Sequence, residues 1–475
     1  MSDPSRVTPP APEPPENGSP EDAPRALPPR MNVAAPRGRY FIHTWGCQMN
    51  VHDSERMAGQ LEALGFGQAE REEEADVVLL NTCTVRETSA AKVYGKLGDL
   101  RRLKIERERM VIGVCGCLAQ QERDALFVKA PHLDLVIGPR AIPQLARHVE
   151  SILATRERVR DTAPWTETVG DGSEESLRQS FPKAFLTIQE GCDKFCTFCV
   201  VPYTRGREKC RSLDVLLREI EALAGRGFRE FEFLGQNVNC YRDDAGHDLA
   251  DLLLRAADIP SVERLRFVTS HPRHLTDRII DAMAHEKVAR ALHLPAQSGS
   301  DPVLARMERD ITRADYMDRI ARLKSTLPDI ALQTDIIGGF PGETDADFEA
   351  TMSLLEEVGY EGVYSFKYSP RPFTKAAKSF EDDVPEPVKA ERLTRLQGFQ
   401  EELQAPRDAA RVGLVEEVLV DGMSKRSTAE VAGRTSRNRV VNFPGGPDLI
   451  GLLIPVRVVE AKAHSFRGEI AGPSR

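Results

Sequence analysis

Two kinds of apolar segment are missing from this 475-residue sequence. No apolar run approaches the roughly 18 residues of a membrane span, and the N-terminus lacks the apolar core of a secretory signal. These absences argue against a membrane or exported protein and predict a cytoplasmic one. In that reducing compartment the nine cysteines are expected to bind metal or to do redox chemistry rather than to form disulfides. The length exceeds one ordinary core, so we expect two to four domains.

Two stretches of the chain lack the composition of a folded domain. Residues 1–37 contain eleven prolines and no aromatic residue, so they cannot bury enough surface to offset the entropy of ordering. Residues 155–177 are charged, contain Gly and Ser, and show little periodicity. We therefore predict a disordered leader and a linker.

A fourth metal ligand is missing beside the most conspicuous cysteine motif. Cys192, Cys196 and Cys199 form a C-x3-C-x2-C pattern, and the next thiol, Cys210, lies eleven residues further on. A zinc site normally supplies its fourth Cys or His close by. Three thiolates can instead bind three irons of a [4Fe-4S] cluster and leave the fourth iron open. The pattern favours the cluster, with zinc as the alternative.

Residues 38–154 predict a parallel α/β domain, because short apolar strands alternate with helical patterns. The predicted strands cover residues 40–44, 76–80, 110–114 and 133–137, with helices near 54–64 and 88–102. Cys47, Cys83 and Cys117 follow the first three strands, where ligands gather in such sheets. We predict a second trio of thiolate ligands there. Cys115 is interpreted as a packing residue, with a ligand role as the alternative.

Residues 178–410 predict six further strand and helix units, which make a partial relative of the (β/α)8 barrel. The predicted strands cover residues 184–189, 230–234, 265–268, 291–294, 332–337 and 362–366. The conspicuous motifs follow the strands and should face one mouth of the barrel. These are the three cysteines, residues 235–237, 269–272, 295–299 and 338–343. Residues 384–410 read as a charged helical connector.

The C-terminal residues 411–475 predict a small β-barrel of the OB type, since short β-type runs are punctuated by Gly and Pro. The whole chain has a net charge of −9, but from residue 423 onward nine Lys or Arg stand against four acidic residues. Scattered arginines and the interleaved Phe443 and Phe466 favour an RNA-binding surface. A merely solvated basic domain is the alternative.

The C-x3-C-x2-C motif after the first barrel strand is similar to the radical-SAM superfamily. The second cysteine trio and the C-terminal barrel narrow the resemblance to the methylthiotransferases, whose last domain is an RNA-binding TRAM barrel. Local motifs most resemble the tRNA-2-methylthio-N6-dimethylallyladenosine synthases. The motifs are Gly-Cys-Gln-Met-Asn at 46–50, Asn-Thr-Cys-Thr-Val-Arg-Glu at 81–87, Thr-Phe-Cys-Val-Val-Pro-Tyr-Thr-Arg-Gly at 197–206, Phe-Val-Thr-Ser-His-Pro at 267–272 and Phe-Lys-Tyr-Ser-Pro-Arg-Pro at 366–372.

The resemblance implies two [4Fe-4S] clusters and a set of residues that bind S-adenosylmethionine. The auxiliary cluster would be held by Cys47, Cys83 and Cys117, and the radical-SAM cluster by Cys192, Cys196 and Cys199. The implied S-adenosylmethionine residues are Phe198, Gly235, Gln236, Asn237, Ser298, Asp335 and Gly338. Gly235-Gln236-Asn237 departs from the usual Gly-Gly-Glu-like segment, which leaves its individual roles open.

The sequence leaves several polar residues with two interpretations. Arg205, Arg211, Arg434 and Arg439 are candidates for substrate contact, although Arg205 and Arg211 could instead pair with carboxylates. His271 and His293 are either hydrogen donors near the substrate or structural. Cys210 and Cys240 have no assigned role.

The implied reaction consumes two molecules of S-adenosylmethionine per turnover. One methylates a sulfur on the auxiliary cluster, and the other yields a 5'-deoxyadenosyl radical that removes hydrogen from carbon 2 of the adenine. The implied substrate is N6-dimethylallyladenosine at position 37 of tRNA. Further implied partners are a reductant such as flavodoxin or ferredoxin and a sulfur donor, and we expect a monomer. The alternatives are a sister enzyme acting on threonylcarbamoyladenosine or on a ribosomal protein aspartate, and an iron-sulfur RNA-binding protein without turnover.

Two cubane clusters predict about eight irons per chain after anaerobic purification. Iron and protein assays on the same sample measure this ratio. A ratio of about four irons per chain would contradict the prediction of an auxiliary cluster.

Overall fold

The computed structural model describes residues 36–84, 87–162, 178 and 180–474. Nearly all of the predicted leader and residues 163–177 of the predicted linker lie outside these ranges. No helix within them combines the length and the apolar character that crossing a membrane requires.

The N-terminal part of the chain forms a six-stranded parallel sheet in the order β2-β1-β3-β4-β5-β6. Its strands are β1 (Gly38–Trp45), β2 (Phe66–Gln68), β3 (Val77–Thr82), β4 (Val111–Gly116), β5 (Leu135–Ile137) and β6 (Val159–Asp161). Its helices are α1 (Gln48–Ala63), α2 (Glu87–Glu106), α3 (Cys117–Glu122), α4 (Asp124–Lys129) and α5 (Leu145–Thr155), with 3-10 turns at Glu72–Glu74 and Pro139–Gln144. Helices α1 and α5 pack on one face, and α2, α3 and α4 on the other. The predicted parallel sheet is confirmed.

Two differences from the sequence prediction concern the edges of this sheet and helix α1. Strands β2 and β6 were not predicted, and β6 lies inside the predicted linker. Each has three residues, too few to show a period. Helix α1 begins six residues before its predicted start, because its first turns bury polar side chains instead of an apolar stripe. The buried polar residues are Asn50, His52, Asp53, Ser54, Glu55 and Arg56.

The central part forms the predicted partial barrel of six parallel strands. They are β7 (Lys183–Thr187), β10 (Glu230–Leu234), β11 (Arg264–Phe267), β12 (Ala291–His293), β13 (Ala331–Gly338) and β14 (Gly362–Lys367), with a short ribbon of β8 (Gln189–Glu190) and β9 (Lys209–Cys210). The strands form two sheets, β11-β10-β7 and β12-β13-β14. The segment before β12 connects them, since Leu265 exchanges backbone hydrogen bonds with Lys287 and Ala289 at 2.7 and 2.9 Å.

Helices surround this barrel and lead out of it. They are α6 (Val201–Thr204), α7 (Leu213–Gly225), α8 (Leu249–Ala257), α9 (Asp277–Ala282), α10 (Asp301–Arg306), α11 (Arg313–Thr326), α12 (Asp345–Val358), α13 (Lys375–Ser379) and α14 (Glu386–Ala409), with 3-10 turns at Val238–Cys240 and Pro272–His274. Apolar residues of α7, α8, α9, α11 and α12 share one core with the strands. Helix α14 corresponds to the predicted connector.

The C-terminal part is a closed five-stranded barrel in the order β15-β16-β17-β19-β18. Its strands are β15 (Val415–Met423), β16 (Glu430–Thr435), β17 (Val440–Pro444), β18 (Leu453–Lys462) and β19 (Ser465–Ile470), with a 3-10 turn at Pro447–Leu449. The predicted OB-like barrel is confirmed. One prediction within it is wrong: Phe443 and Phe466 fill the barrel core instead of facing RNA.

A buried charge cluster attaches this barrel to the central domain. The Glu230 carboxylate on β10 accepts from Arg264 at 3.3 Å and from Arg266 at 3.4 Å. Arg264 also donates to the carbonyl oxygens of Arg434 and Glu417, at 2.8 and 3.2 Å. Burial alone would raise the pKa of Glu230, but the positive charges of Arg266 and Arg264 outweigh it and lower this pKa to about 2.

Replacing this carboxylate should destabilise the protein strongly. We expect Glu230→Gln to cost roughly 3–5 kcal/mol in urea unfolding, because two buried guanidinium groups lose their counter-charge. Arg467→Gln, which breaks a more exposed pair with Glu430, is the control and should cost under about 1 kcal/mol. In the parent chain the contribution of Glu230 is present above its ordinary pKa of 4.5 and is lost as the pH falls toward 2. Equal costs for the two variants would contradict this prediction.

Candidate metal centres

The loop that carries the first cysteine trio is closed by its own backbone. Strands β8 and β9 pair at its base, and the Cys192 amide donates to the Gly206 carbonyl at 2.8 Å. Gly191 has a φ of +78°, and a Cβ there would overlap the carbonyl oxygens of Gly206 and Arg207. Glycine is therefore required where this loop turns back on itself.

Cys192, Cys196 and Cys199 lie together inside this loop. Cys192 and Cys196 are buried and Cys199 is half-buried. Burial raises the pKa of Cys192 to about 11 and that of Cys199 to about 12, and the neighbouring thiols act in the same direction. These thiols hold their protons until a metal displaces them.

Two cationic residues flank the trio. The Arg309 guanidinium is buried, with Nη1 3.5 Å from the Cys196 sulfur and Nη2 donating to the Pro295 carbonyl at 2.7 Å. The Lys194 amide donates to the Cys192 sulfur at 3.4 Å. Hydrogen bonds and positive charge suit anionic sulfur. Arg309 was missed from the sequence, because nothing in its local pattern separates it from a surface arginine.

Gln189 holds the predicted segment Gly235-Gln236-Asn237 against the cysteine loop. Its Oε1 accepts from the amides of Gln236 and Asn237 at 3.0 and 3.2 Å, and its Nε2 donates to the Gly191 carbonyl at 2.6 Å. The Gln236 side chain in turn accepts from the Gly191 amide. The segment and the cysteine loop therefore form one unit, and Gln189 is a second residue that sequence reasoning missed.

The other residues implied in S-adenosylmethionine binding have different environments. The half-buried Phe198 ring lies edge-on to Phe340 at 6.5 Å and shares an apolar cluster with the end of β13, next to Gly338. Asp335 is partly exposed, and its Oδ1 lies 3.1 Å from His293 Nε2. Ser298 is buried, and its hydroxyl lies 3.3 Å from that of Thr351. Ser298 thus supports its loop and Asp335 is accessible beside His293, whereas a Cβ on Gly338 would point toward Leu396 and Arg392 of α14.

Three buried polar atoms without a partner among the described residues belong to Arg309, which contacts Cys196, and to the segment that follows β11. They are Ser270 Oγ, His271 Nε2 and Arg309 Nε. His271 Nδ1 accepts from the Arg273 amide at 3.3 Å, so Nε2 carries the hydrogen. Burial, followed by the charge of Arg309, lowers the pKa of His271 to about 2 and keeps the ring neutral. Three unpartnered groups fit a polar ligand such as S-adenosylmethionine.

The second cysteine trio lies at the carboxyl edge of the N-terminal sheet. Cys47 caps α1, Cys83 follows β3, and Cys117 opens α3. Gly116 has a φ of +88°, and a Cβ there would overlap the Asn81 side chain. The glycine allows the chain to turn from β4 into α3 directly beneath the site.

Electrostatic interactions show that these thiols lie close together. Cys47 is solvent-accessible yet surrounded by neighbouring atoms. A hydrogen bond with Cys83 lowers the pKa of Cys47 to about 6, and the charge of Arg205 adds to this. Burial raises the pKa of Cys117, against the opposing effect of Arg205. An accessible thiolate beside two buried thiols can ligate iron.

The remaining three cysteines have other surroundings, although Cys240 lies near enough to Cys192 to be affected by its charge. Cys115 is fully buried on the face of the sheet that packs against α1 and α5, which supports its interpretation as a packing residue. Cys210 lies in β9, half-buried against the barrel core. Cys240 ends a 3-10 turn and forms a hydrogen bond with Glu208.

Three of the four predicted substrate arginines have structural partners instead. Arg205 Nη2 is 2.5 Å from Asp53, Arg211 Nη2 is 2.7 Å from Glu219, and Arg439 Nη2 is 2.5 Å from Asp408. Each of these side chains is at most 15% exposed, which fits the carboxylate pairing given as the alternative for Arg205 and Arg211. The substrate role of the three arginines stays a prediction. Arg434 differs, because its side chain is 36% exposed and lies 3.9 Å from Asp421.

Among the described residues, no three His, Cys, Asp or Glu side chains group around a position for a single metal ion. In a cubane cluster each cysteine binds a different iron, so its thiols lie further apart than the ligands of a single metal ion. Each trio provides three thiols for such a cluster.

Comparison with family models divides the chain into three matched regions. Residues 39–138 match the model described as uncharacterized protein family UPF0004, residues 186–355 the radical SAM superfamily, and residues 409–471 the TRAM domain.

Curated relatives match over nearly the whole described chain. The chain is 45% identical over 440 residues to the tRNA-2-methylthio-N(6)-dimethylallyladenosine synthase of Methylococcus capsulatus, covering 91% of this chain and 96% of that protein. It is 44% identical over 449 residues to the enzyme of the same name from Syntrophobacter fumaroxidans, covering 92% and 96%. Among solved structures, the radical S-adenosylmethionine methyltransferase TsrM from Kitasatospora setae superimposes with a TM-score of 0.52 at 17% identity, covering 69% of this chain and 72% of that one. The last likeness concerns the fold alone.

Cys115 and Cys117 form a matched pair that tests the second trio. We expect Cys117→Ala to lose about four irons per chain and Cys115→Ala to lose none, because only Cys117 faces the site. Iron assays after anaerobic reconstitution, with circular dichroism to check folding, measure the difference. Loss of iron in Cys115→Ala alone would show that the assignment of the two thiols is reversed.

Proposed function

This chain belongs to the family of the tRNA-2-methylthio-N6-dimethylallyladenosine synthases, and we propose that it adds a methylthio group to carbon 2 of N6-dimethylallyladenosine at position 37 of tRNA. The family resemblance found in the motifs is confirmed. The observation that carries the proposal is that Arg205, from the loop of the first trio, is fixed to Asp53 on α1 at 2.5 Å and places its charge beside Cys47 and Cys117 of the second trio.

We assign one [4Fe-4S] cluster to each trio. Cys192, Cys196 and Cys199 would hold the radical-SAM cluster, and Cys47, Cys83 and Cys117 the auxiliary one. When bound, the clusters and two molecules of S-adenosylmethionine per turnover supply the radical, the sulfur and the methyl group.

The chain's own residues bind and orient S-adenosylmethionine in this proposal. The Gly235-Gln236-Asn237 segment is fixed to the cysteine loop through Gln189, so a ligand held there has a defined position relative to Cys192. Phe198 offers an apolar ring edge for the adenine. The neutral His271 donates from Nε2 without adding charge.

The inner wall of the barrel suits a flipped purine base. Tyr364 and Phe366 on β14 are 40% and 37% exposed, and they pair in register with Asp335 and Ile337 on β13. The Tyr364 ring lies edge-on to His293 at 5.8 Å. Enzymes that modify a base extrude it and hold it by stacking and hydrogen bonds. We infer that these rings receive the adenine and its apolar dimethylallyl group.

The C-terminal barrel supports a tRNA substrate, because it matches the TRAM domain and keeps basic side chains at its surface. Arg467 is 46% exposed and Arg434 36%. A reductant such as flavodoxin or ferredoxin, a sulfur donor and a monomeric state remain predictions. The cytoplasmic location also remains a prediction.

Nucleoside analysis of tRNA from a deletion strain tests the proposed substrate. We expect 2-methylthio-N6-dimethylallyladenosine to disappear and N6-dimethylallyladenosine to accumulate, with recovery on expression of this chain. Cys196→Ala is the negative control, because it removes a ligand of the radical-SAM cluster.

An unchanged level of the methylthiolated nucleoside would refute this substrate. Loss of a methylthio group from threonylcarbamoyladenosine or from a ribosomal protein aspartate would assign the sister activity. Absence of 5'-deoxyadenosine under reducing conditions would leave an RNA-binding protein without turnover.

A further inference from the structure

One arginine physically connects the two candidate metal centres. Arg205 follows α6, six residues beyond Cys199, and therefore belongs to the loop of the radical-SAM trio. Its side chain is 4% exposed and lies beside the thiols of Cys47 and Cys117 in the other domain. A change of position in one loop would thus be felt at both centres.

The arginine is held from several sides. Its Nη2 donates to Asp53 Oδ2 at 2.5 Å, and its carbonyl oxygen accepts from Arg140 Nε at 3.1 Å. Its amide donates to the Val201 carbonyl at 2.8 Å. Asp53 lies on α1, which also carries the cap residue Cys47. The side chain is therefore fixed to the element that places the auxiliary thiols.

One donor of this fixed guanidinium has no hydrogen-bond partner among the described residues. Arg205 Nη1 is buried, and a buried unpaired donor is unfavourable. The charged groups and thiols that face the guanidinium are Asp53, Cys117, Cys47 and Glu190. Asp53 already accepts from Nη2 and Glu190 pairs with Arg56 at 3.5 Å, so the remaining acceptors among these groups are the sulfurs of Cys117 and Cys47.

We propose that Arg205 is a component of the auxiliary centre, where its Nη1 donates a hydrogen bond to the sulfur held by the centre while Asp53 fixes the guanidinium plane. This inference rests on the proposed function. Hydrogen bonds to cluster sulfur and nearby positive charge favour the reduced, more anionic state. Arg205 would therefore raise the reduction potential of the auxiliary centre.

The geometry requires arginine in particular. A planar fork can bind a carboxylate with one nitrogen and offer the other to a second acceptor, whereas the lysine ammonium is a single point charge. Arg205→Lys should keep most of the electrostatic effect and lose the fixed direction. Arg205→Gln should lose both.

The decisive experiment isolates the auxiliary centre. Cys192, Cys196 and Cys199 are all changed to Ala, and the midpoint potential of the remaining cluster is measured by anaerobic redox titration with electron paramagnetic resonance. In this background we expect Arg205→Gln to shift the potential to more negative values, Arg205→Lys to shift it less, and Arg207→Gln to leave it unchanged. Arg207 is the matched control, because it lies in the same loop with a side chain 68% exposed.

The outcomes separate this inference from the proposed function. Equal midpoint potentials for the triple alanine protein and for its Arg205→Gln and Arg207→Gln variants would overturn the proposed role of Arg205. Absence of iron in the triple alanine background itself would overturn the two-cluster assignment. Loss of iron in Arg205→Gln, with an unchanged unfolding temperature and iron retained in Arg207→Gln, would support the role.

A second readout uses the chain with all six ligand cysteines. We expect Arg205→Lys to lower the ratio of methylthiolated tRNA to 5'-deoxyadenosine about tenfold, the effect of losing one charge-assisted hydrogen bond. This ratio distinguishes a defect in sulfur transfer from a defect in radical formation. An unchanged ratio in Arg205→Lys would count against a directed hydrogen bond to the sulfur.

Discussion

The polar face of helix α1 is the constraint on which the arrangement of this molecule depends. Four residues of this helix, all within positions 52–56, form polar contacts across the domain interface. His52 Nδ1 lies 2.7 Å from the Thr187 hydroxyl, Asp53 2.5 Å from Arg205, Glu55 3.5 Å from Arg178 and Arg56 3.5 Å from Glu190. Buried charges are costly unless paired, so these pairs permit one relative position of the two domains. That position places Arg205, from the loop of the first trio, beside Cys47 and Cys117 of the second.

The strand pattern made most of the fold predictable. Each barrel strand is a short apolar run with a functional motif directly after it, and parallel strands bring such motifs to one edge. The strand pattern therefore predicts the division of the six cysteines into two trios. Helix α1 was harder, because its buried face is polar and is covered by a domain that begins more than a hundred residues later.

Contacts between distant segments explain what sequence reasoning missed. Gln189 and Arg309 have no local signature, and each acquires its role from a partner in another segment, such as the Gln236 amide or the Cys196 sulfur. Phe443 and Phe466 show the opposite error. The alternation of apolar and polar residues shows that a strand has two different faces. It does not show which face lies inside the barrel, because that depends on how the strands close.

The backbone closure of the first cysteine loop has a consequence for how the protein matures. The ribbon of β8 and β9, the Cys192 to Gly206 hydrogen bond and the Gln189 side chain hold the loop without any participation of the thiols. The turn of this loop is therefore set by its backbone, and a cluster would bind to thiols on a loop whose two ends are already joined.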